Sequence, residues 1–443
     1  MATVDRPAAD VAPSRACAYR VIRRVFEQGA YADRALHAEA VGLDSRERSF
    51  AMALTYTAVQ RRATLDYVIE RLAGRPLRQL EPSVLATLRL GLTQLLLMDG
   101  VAEHAAVDET VRLAKHDAPR AAGLVNAVMR RATRDGAAVL AGLDDATPER
   151  AALLRSVPAW LAQLWFDELG AEQARALLAA VNRPAESSLR VNTLVATVPD
   201  VSARLPVPAA VAPGLSYGLV LDGPFDAHGS ELWGQGAIMP QSRGSMIPPQ
   251  VLAPRPGERV LDLCSAPGAK SSQLAALMDA TGELVCVERN PRRADGLRRT
   301  LRRMHAADPA TVRVADATES LPGDTQNFDR VLVDPPCSGL GTLQSRPDLR
   351  WRTSPERIVD TAALQGRILA AGADAVRPGG VLVYSVCTIS RAEGTTVAER
   401  FLADHGDFTP DPFAGCHPGT SYLQLLPHLD GTDGFFVARF RRR

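Results

Sequence analysis

The run "ERVLDLCSAPGAKSSQLAALMDATGELVCVE", residues 258–288, decides the fold. It reads as a strand, a tight loop carrying Pro267 and Gly268, a helix, and a second strand. The rhythm continues with helix "PRRADGLRRTLRRM", strand "TVRVADA" and strand "FDRVLVD". A long helix then opens at "TSPERIVD", with Ser354 as N-cap and Pro355 at the first helical position, before strand "GGVLVYSV". Apolar β-runs alternating with helices predict an α/β fold, a doubly wound, mostly parallel, Rossmann-like sheet. Such sheets bind ligands outside the carboxyl ends of their strands.

Upstream the pattern changes. From Ser14 to about Arg134 the chain reads as helix throughout; in "EPSVLATLRLGLTQLLLMDG", Val84, Leu85, Leu88, Leu92, Leu95 and Leu96 follow the spacing of one buried face. An acidic, loop-like stretch at 142–149 follows, then a further helical stretch from "SVPAWLAQLWF". Short extended runs broken by Pro and Gly then predict a small α+β module. The expected domains are therefore 1–140, all helical; 150–240, the small module; and 241–443, the parallel sheet.

Composition excludes several classes. At 443 residues, 46% hydrophobic and 23% charged, the chain has the makings of more than one globular core. The Pro- and Ala-rich start, "MATVDRPAADVAPS", reads as a tail without the apolar segment of a signal peptide. The longest apolar run, near Leu95, is far below the ~20 residues that span a bilayer. A cytoplasmic protein without membrane attachment is expected. Six scattered cysteines without CxxC spacing suggest neither disulfides nor a metal site. A net charge of +1 means that any nucleic-acid footprint must be local. Lysine occurs only at Lys115 and Lys270, and Lys270 sits in the glycine-containing loop.

The candidate chemistry collects at strand ends. The loop "CSAPGAK", from Cys264 through Ser265, Ala266, Pro267, Gly268 and Ala269 to Lys270, opens a helix and offers free N–H groups to a ligand. It lacks GxGxxG and the P-loop pattern, which favours a nucleoside-type ligand. Glu288 is placed to accept hydrogen bonds from ribose hydroxyls, with Asp316 and Asp334 ending the next two strands. Two cysteines close the set: Cys337 in "VLVDPPCSGLGT" and Cys387 in "GVLVYSVCTIS". Both strand ends face the same crevice in the predicted sheet. Cys17, Cys286 and Cys416 read as packing residues.

The runs "LDLCSAPGAKS", "VLVDPPCSGLGTLQSRPDLRW", "YSVCT" and "DGTDGFFVARF" resemble the Sun (Fmu) family of ribosomal RNA 5-methylcytosine methyltransferases. "LRLGLTQLLLMDGVAEHAAVDETVRLAK" and "GLVNAVMRR" resemble the NusB-like RNA-binding domain that precedes the catalytic domain in bacterial members. The resemblance implies a class I methyltransferase domain, S-adenosylmethionine as cofactor, and RNA, in particular small-subunit ribosomal RNA, as substrate. It also implies the roles of the thiols: Cys387 attacks carbon 6 of cytosine and Cys337 assists release, which the residues alone leave unordered. Asp334 and Lys270 would support the adduct, and residues 264–270, Glu288, Asp316 and Asp334 would hold the cofactor. A monomer is expected.

Two rivals are kept. One is a DNA cytosine methyltransferase; the other is an RNA-binding transcription or ribosome-assembly factor with a vestigial catalytic domain. The pairs Arg298, Arg302 and Arg299, Arg303 read as a solvated helix face ahead of an RNA contact, and the terminal "RFRRR" as either a phosphate contact or a fraying tail.

Overall fold

The computed structural model describes residues 11–319 and 327–443. The first ten residues of the segment read as a tail lie outside them. Two compact units emerge: residues up to Arg183 together with Leu343–Arg352, and Pro184–Thr342 together with Thr353–Arg443.

The first unit is helical. Its central helix, Pro82–Leu96, buries Val84, Leu88 and Leu92 on the face that the three-and-four spacing predicts. Proline occupies the first turn there, where its missing N–H costs nothing. Ten residues that the sequence reading grouped with the parallel sheet, Leu343–Arg352, pack within this unit. Arg350 is wholly buried in it and donates to the carbonyls of Ser156 (3.2 Å), Val181 (3.1 Å), Leu343 (3.3 Å) and Gln60 (3.4 Å) and to Asn182 Oδ1 (2.7 Å). Trp351 donates its indole N–H to Val59 O at 2.8 Å. A guanidinium with its donors in a fixed fork suits such a ring of backbone acceptors.

The second unit begins with a four-stranded antiparallel sheet of β1 (Ser188–Val191), β2 (Ala209–Val211), β3 (Gly218–Leu221) and β4 (Ile238–Pro240), in the order β2-β3-β1-β4. The large sheet follows: β5 (Arg259–Leu263), β6 (Glu283–Val287), β7 (Ala310–Arg313), β8 (Phe328–Val333), β9 (Val376–Val386), β10 (Phe408–Pro410), β11 (Tyr422–Leu425) and β12 (Phe435–Arg442). Its order is β10-β12-β9-β8-β5-β6-β7, with β11 paired to β12. The run from β9 to β7 is parallel, while β12 joins β9 antiparallel. The chain winds outward from β5 through β6 to β7, then crosses back to β8. That reversal opens a crevice at the carboxyl ends of β5 and β8.

Both faces of the sheet are covered by apolar side chains, including Leu261, Val331 and Tyr384 on one side and Val260, Leu284 and Leu332 on the other. The terminal arginines are neither a tail nor free: Arg439, Arg441 and Arg442 belong to β12 and pair with Asp411 and Asp407. Arg303 likewise is no solvated residue; it stacks on Trp233 and donates to Trp233 O and Ile238 O. Arg299 and Arg302 are exposed. Among the described residues, no helix is long and apolar enough to cross a membrane, and no group of three metal-ligating side chains occurs.

Replacing Arg350 with methionine leaves four carbonyls and an amide oxygen without their donor inside the helical unit. The first unfolding transition in urea should lose ~2–4 kcal/mol of stability. A loss below ~0.5 kcal/mol would mean that the acceptors find other partners.

Candidate active site

The site converges on Asp334, the residue immediately after β8. Its Oδ2 accepts from Lys270 Nζ at 2.8 Å, and its Oδ1 accepts from Ser385 Oγ at 2.9 Å. Lys270 lies in the first turn of the helix Ala269–Leu277 that follows β5, and Ser385 lies in β9. Burial works against the Lys270 ammonium, but Asp334 outweighs it and leaves the pKa above the ordinary lysine value. Lys270 Nζ also sits 5.1 Å from the centre of the Phe435 ring.

The two cysteines meet. β8 and β9 pair in parallel with Val333 opposite Tyr384, so the loops carrying Cys337 and Cys387 leave the sheet side by side. Their sulfur atoms are 3.0 Å apart. The Cys337 thiol is held well above the usual thiol range by its hydrogen bond with Cys387, by burial and by the surrounding negative charge. The Lys270 ammonium, for its part, is favoured by negative charge on Cys387.

Two glycines let the surrounding backbone close. Gly341 N donates to Cys387 O at 3.0 Å, and Gly434 N donates to Gly341 O at 2.8 Å. A Cβ on Gly341 would lie 1.9 Å from Gly434 O, and one on Gly434 would lie 2.5 Å from Ile389 Cγ2. The motifs "SGLGT" and "DGTDGFF" thus share one job: they pass close enough to brace the Cys387 carbonyl.

The glycine loop lies at the end of β5. Ser265 N donates to Val287 O at 2.9 Å, and Arg293 donates to Ala266 O at 2.7 Å. Pro267 follows Ala266, and Gly268, at φ +103°, turns the chain into the helix. A Cβ there would meet Leu297 Cδ1 at 2.8 Å. Gly268 N closes the loop by donating to Ser265 O at 2.9 Å, and Ser272 N donates to Gly268 O at 3.0 Å, so residues 269–271 form the first turn, where a helix's N–H groups point outward from its start. Cys264 is pushed up to about 12 by burial, which marks it as a packing residue of the loop.

Glu288 follows β6 and is only 3% exposed. It accepts from Asn290 N at 2.8 Å and lies 3.3 Å from Arg293. Asp316 differs from the expectation. β7 stops at Arg313, opposite the last residue of β6, because an edge strand extends only as far as its neighbour; Asp316 lies three residues further on. There it accepts from Thr318 N and Oγ1, bonds that hold its carboxyl below the usual range. The reading of the sequence passed over Asp262, fully buried in β5 beneath the site. Burial pushes its carboxyl up to about 7, against a hydrogen bond from Ser271, and Oδ1 has no partner.

A family profile described as "16S rRNA methyltransferase RsmB/F" matches residues 249–441. The NusB family profile matches 12–134, and that of the RsmF/B-like ferredoxin-like domain matches 157–228. The ribosomal RNA small subunit methyltransferase B of Thermus thermophilus is 37% identical over 90% of this chain and 89% of its own length. This chain belongs to the RsmB/F methyltransferase family. A protein of Synechocystis described as a probable ribosomal RNA small subunit methyltransferase B is 33% identical over 97% of this chain and 99% of its own length. In fold, the crystal structure of PH0851 matches with a TM-score of 0.81 and 25% identity, covering 98% of this chain and 99% of that one.

The RsmB/F methyltransferases take their methyl group from S-adenosylmethionine. The residues here fit that cofactor. Glu288 is a buried carboxylate with two modest partners, and a carboxylate has about four acceptor directions, which leaves room for ribose hydroxyls. The loop 264–268 supplies a close backbone approach and a helix start beside it.

Glu288→Ala should weaken S-adenosylmethionine binding by ~1–3 kcal/mol through loss of charged hydrogen bonds. Calorimetry on the folded variant checks this, and unchanged affinity would remove Glu288 from the site.

Proposed function

We propose that the chain methylates carbon 5 of a cytosine in RNA, specifically small-subunit ribosomal RNA, through a covalent bond between Cys387 and carbon 6. The observation that carries this is the pair of thiols 3.0 Å apart beside the Lys270–Asp334 pair. Carbon 5 of cytosine is a poor nucleophile; a thiolate added at carbon 6 turns the ring into an enamine whose carbon 5 carries the electron pair. When bound, S-adenosylmethionine supplies the electrophilic methyl group that carbon 5 takes up.

The protein's part follows from its charges. Cys387, facing the Lys270 ammonium, is the thiolate that adds to the base. Asp334, fixed at both oxygens, holds the ring's polar edge while the adduct carries negative charge. Cys337 keeps its proton as long as Cys387 is charged beside it. Once the Cys387 sulfur is bonded to carbon, its hydrogen bond to Cys337, the largest cause of the raised Cys337 pKa, is gone, and Cys337 gives up its thiol proton to solvent, the one proton that the methylation releases overall. Cys337 then takes the proton from carbon 5, the carbon 5–carbon 6 double bond reforms, and Cys387 leaves as thiolate.

The remaining assignments belong to the same reading. Residues 264–270, Glu288, Asp316 and Asp334 hold the cofactor, and Asp262 lies beneath them with its carboxyl pushed up to about 7 by burial. The helical segment 1–140 and the module 150–240 hold the RNA, and 241–443 carries the chemistry. The protein acts as a monomer in the cytoplasm.

The two cysteines separate in experiment. Cys387→Ala should be inactive and form no covalent complex with RNA. Cys337→Ala should attack and methylate, then stall with protein linked to RNA, a complex that survives denaturing electrophoresis and needs both cofactor and target cytosine. An adduct with Cys387→Ala and none with Cys337→Ala would reverse the roles. No adduct with either variant would remove the two-thiol mechanism, and equal methylation of a DNA oligonucleotide would remove the RNA substrate.

A further inference from the structure

Glu393 takes no part in the chemistry above, yet it is wholly buried between the loops that carry the two cysteines. Its Oε1 accepts from Ser338 N at 2.8 Å and from Gln365 Nε2 at 3.1 Å. Its Oε2 accepts from Thr388 Oγ1 at 3.0 Å and from Ser338 Oγ. Ser338 directly follows Cys337, and Thr388 directly follows Cys387; their hydroxyl oxygens are 2.9 Å apart. The same Gln365 amide donates to Pro336 O at 2.9 Å, so the residues on both sides of Cys337 are tied to the cluster. Tyr384 Oη, beneath it, lies 2.6 Å from Glu393 O and 3.1 Å from Gln365 Oε1.

We propose that Glu393 is the positioning residue that holds the two thiols at their working separation, an inference that rests on the two-thiol reading above. The sheet alone does not do this. The β8–β9 ladder ends at Val333 and Tyr384, so Cys337 lies four residues beyond it and Cys387 three. Strand register brings the two loops together but leaves their last residues to be fixed by other bonds. Glu393 supplies a bond to the residue after each cysteine from one side chain. A carboxylate suits the place because it is an acceptor with about four lone-pair directions, and four donors converge on it. A carboxamide has one acceptor oxygen and would set its own N–H groups against the donors. In a buried site such a mismatch is not relieved by water. The sequence hides the residue: "SRAEGTT" places an acid beside a glycine in a loop, with nothing to show that the loop is interior.

The test uses the full-length protein with Glu393→Gln and Glu393→Asp. Diamide joins two thiols as a disulfide and takes up their two hydrogens, so the rate at which peptide mapping finds Cys337 linked to Cys387 reports their positioning without any turnover. Glu393→Gln should slow that pairing at least tenfold and lower kcat about a hundredfold. Its S-adenosylmethionine affinity should stay within twofold of wild type and its RNA KM within threefold. Glu393→Asp, which keeps the acceptors on a shorter arm, should recover at least tenfold of the lost kcat. If Glu393→Gln does not fold, Thr388→Val removes one of the four donors and should slow pairing in the same direction. Pairing within threefold of wild type overturns the proposal, as does cofactor affinity that falls in step with kcat. Failure of both cysteine variants to form an RNA adduct would instead strike the two-thiol mechanism, while the pairing rate would still decide the role of Glu393.

Discussion

One carboxylate, Asp334, joins the carboxyl ends of three neighbouring strands: its own β8, β5 through Lys270, and β9 through Ser385. Parallel strands deliver their ends to the same edge, but they deliver loops, and loops need fixing. Asp334 provides that fixing at the point where the chain reverses its winding. Lys270, in exchange, is kept charged where burial alone would favour its neutral form. Without the pair, neither the glycine loop nor the cysteine loops would have a common reference.

Around that centre the polar groups are arranged in layers of differing burial. Asp262 lies deepest and, with an oxygen left unpartnered, favours the protonated form up to about neutral pH. Asp334 lies above it, bound at both oxygens, and the sulfurs lie beyond. Acids placed this way are not redundant, because Asp262 is buried with an oxygen unpartnered while Asp334 is engaged by Lys270 and Ser385. The site's glycines serve the same end by allowing backbone to stand where a side chain would exclude it, as at Gly341 against Gly434.

Much of this was legible in the sequence. Strand ends announce themselves by an apolar run that stops at Asp, Glu or Pro, so Glu288, Asp334 and the loops of Cys337 and Cys387 could be assigned to one edge. The acid at 316 was displaced because strand length depends on the neighbour, and β6 is short. Glu393 and Arg350 were not legible at all. Each is a charged residue in a loop-like run, where periodicity carries no information, and each is buried because backbone and side-chain partners from distant parts of the sequence converge on it. Local pattern left "RFRRR" open between a phosphate contact and a tail, and the tail falls away once Asp407 and Asp411 are brought alongside.

The ten-residue excursion Leu343–Arg352 changes what kind of object this polypeptide is. A helical unit joined by one linker can be shed by a single cut, or exchanged between proteins by a single recombination event. Here the chain passes between the units at 183–184, at 342–343 and again at 352–353, so the two are threaded rather than strung. A nick at 183–184 leaves Leu343–Arg352 attached to the other unit, and a gene segment ending near residue 183 carries a helical unit that lacks Arg350 and Trp351.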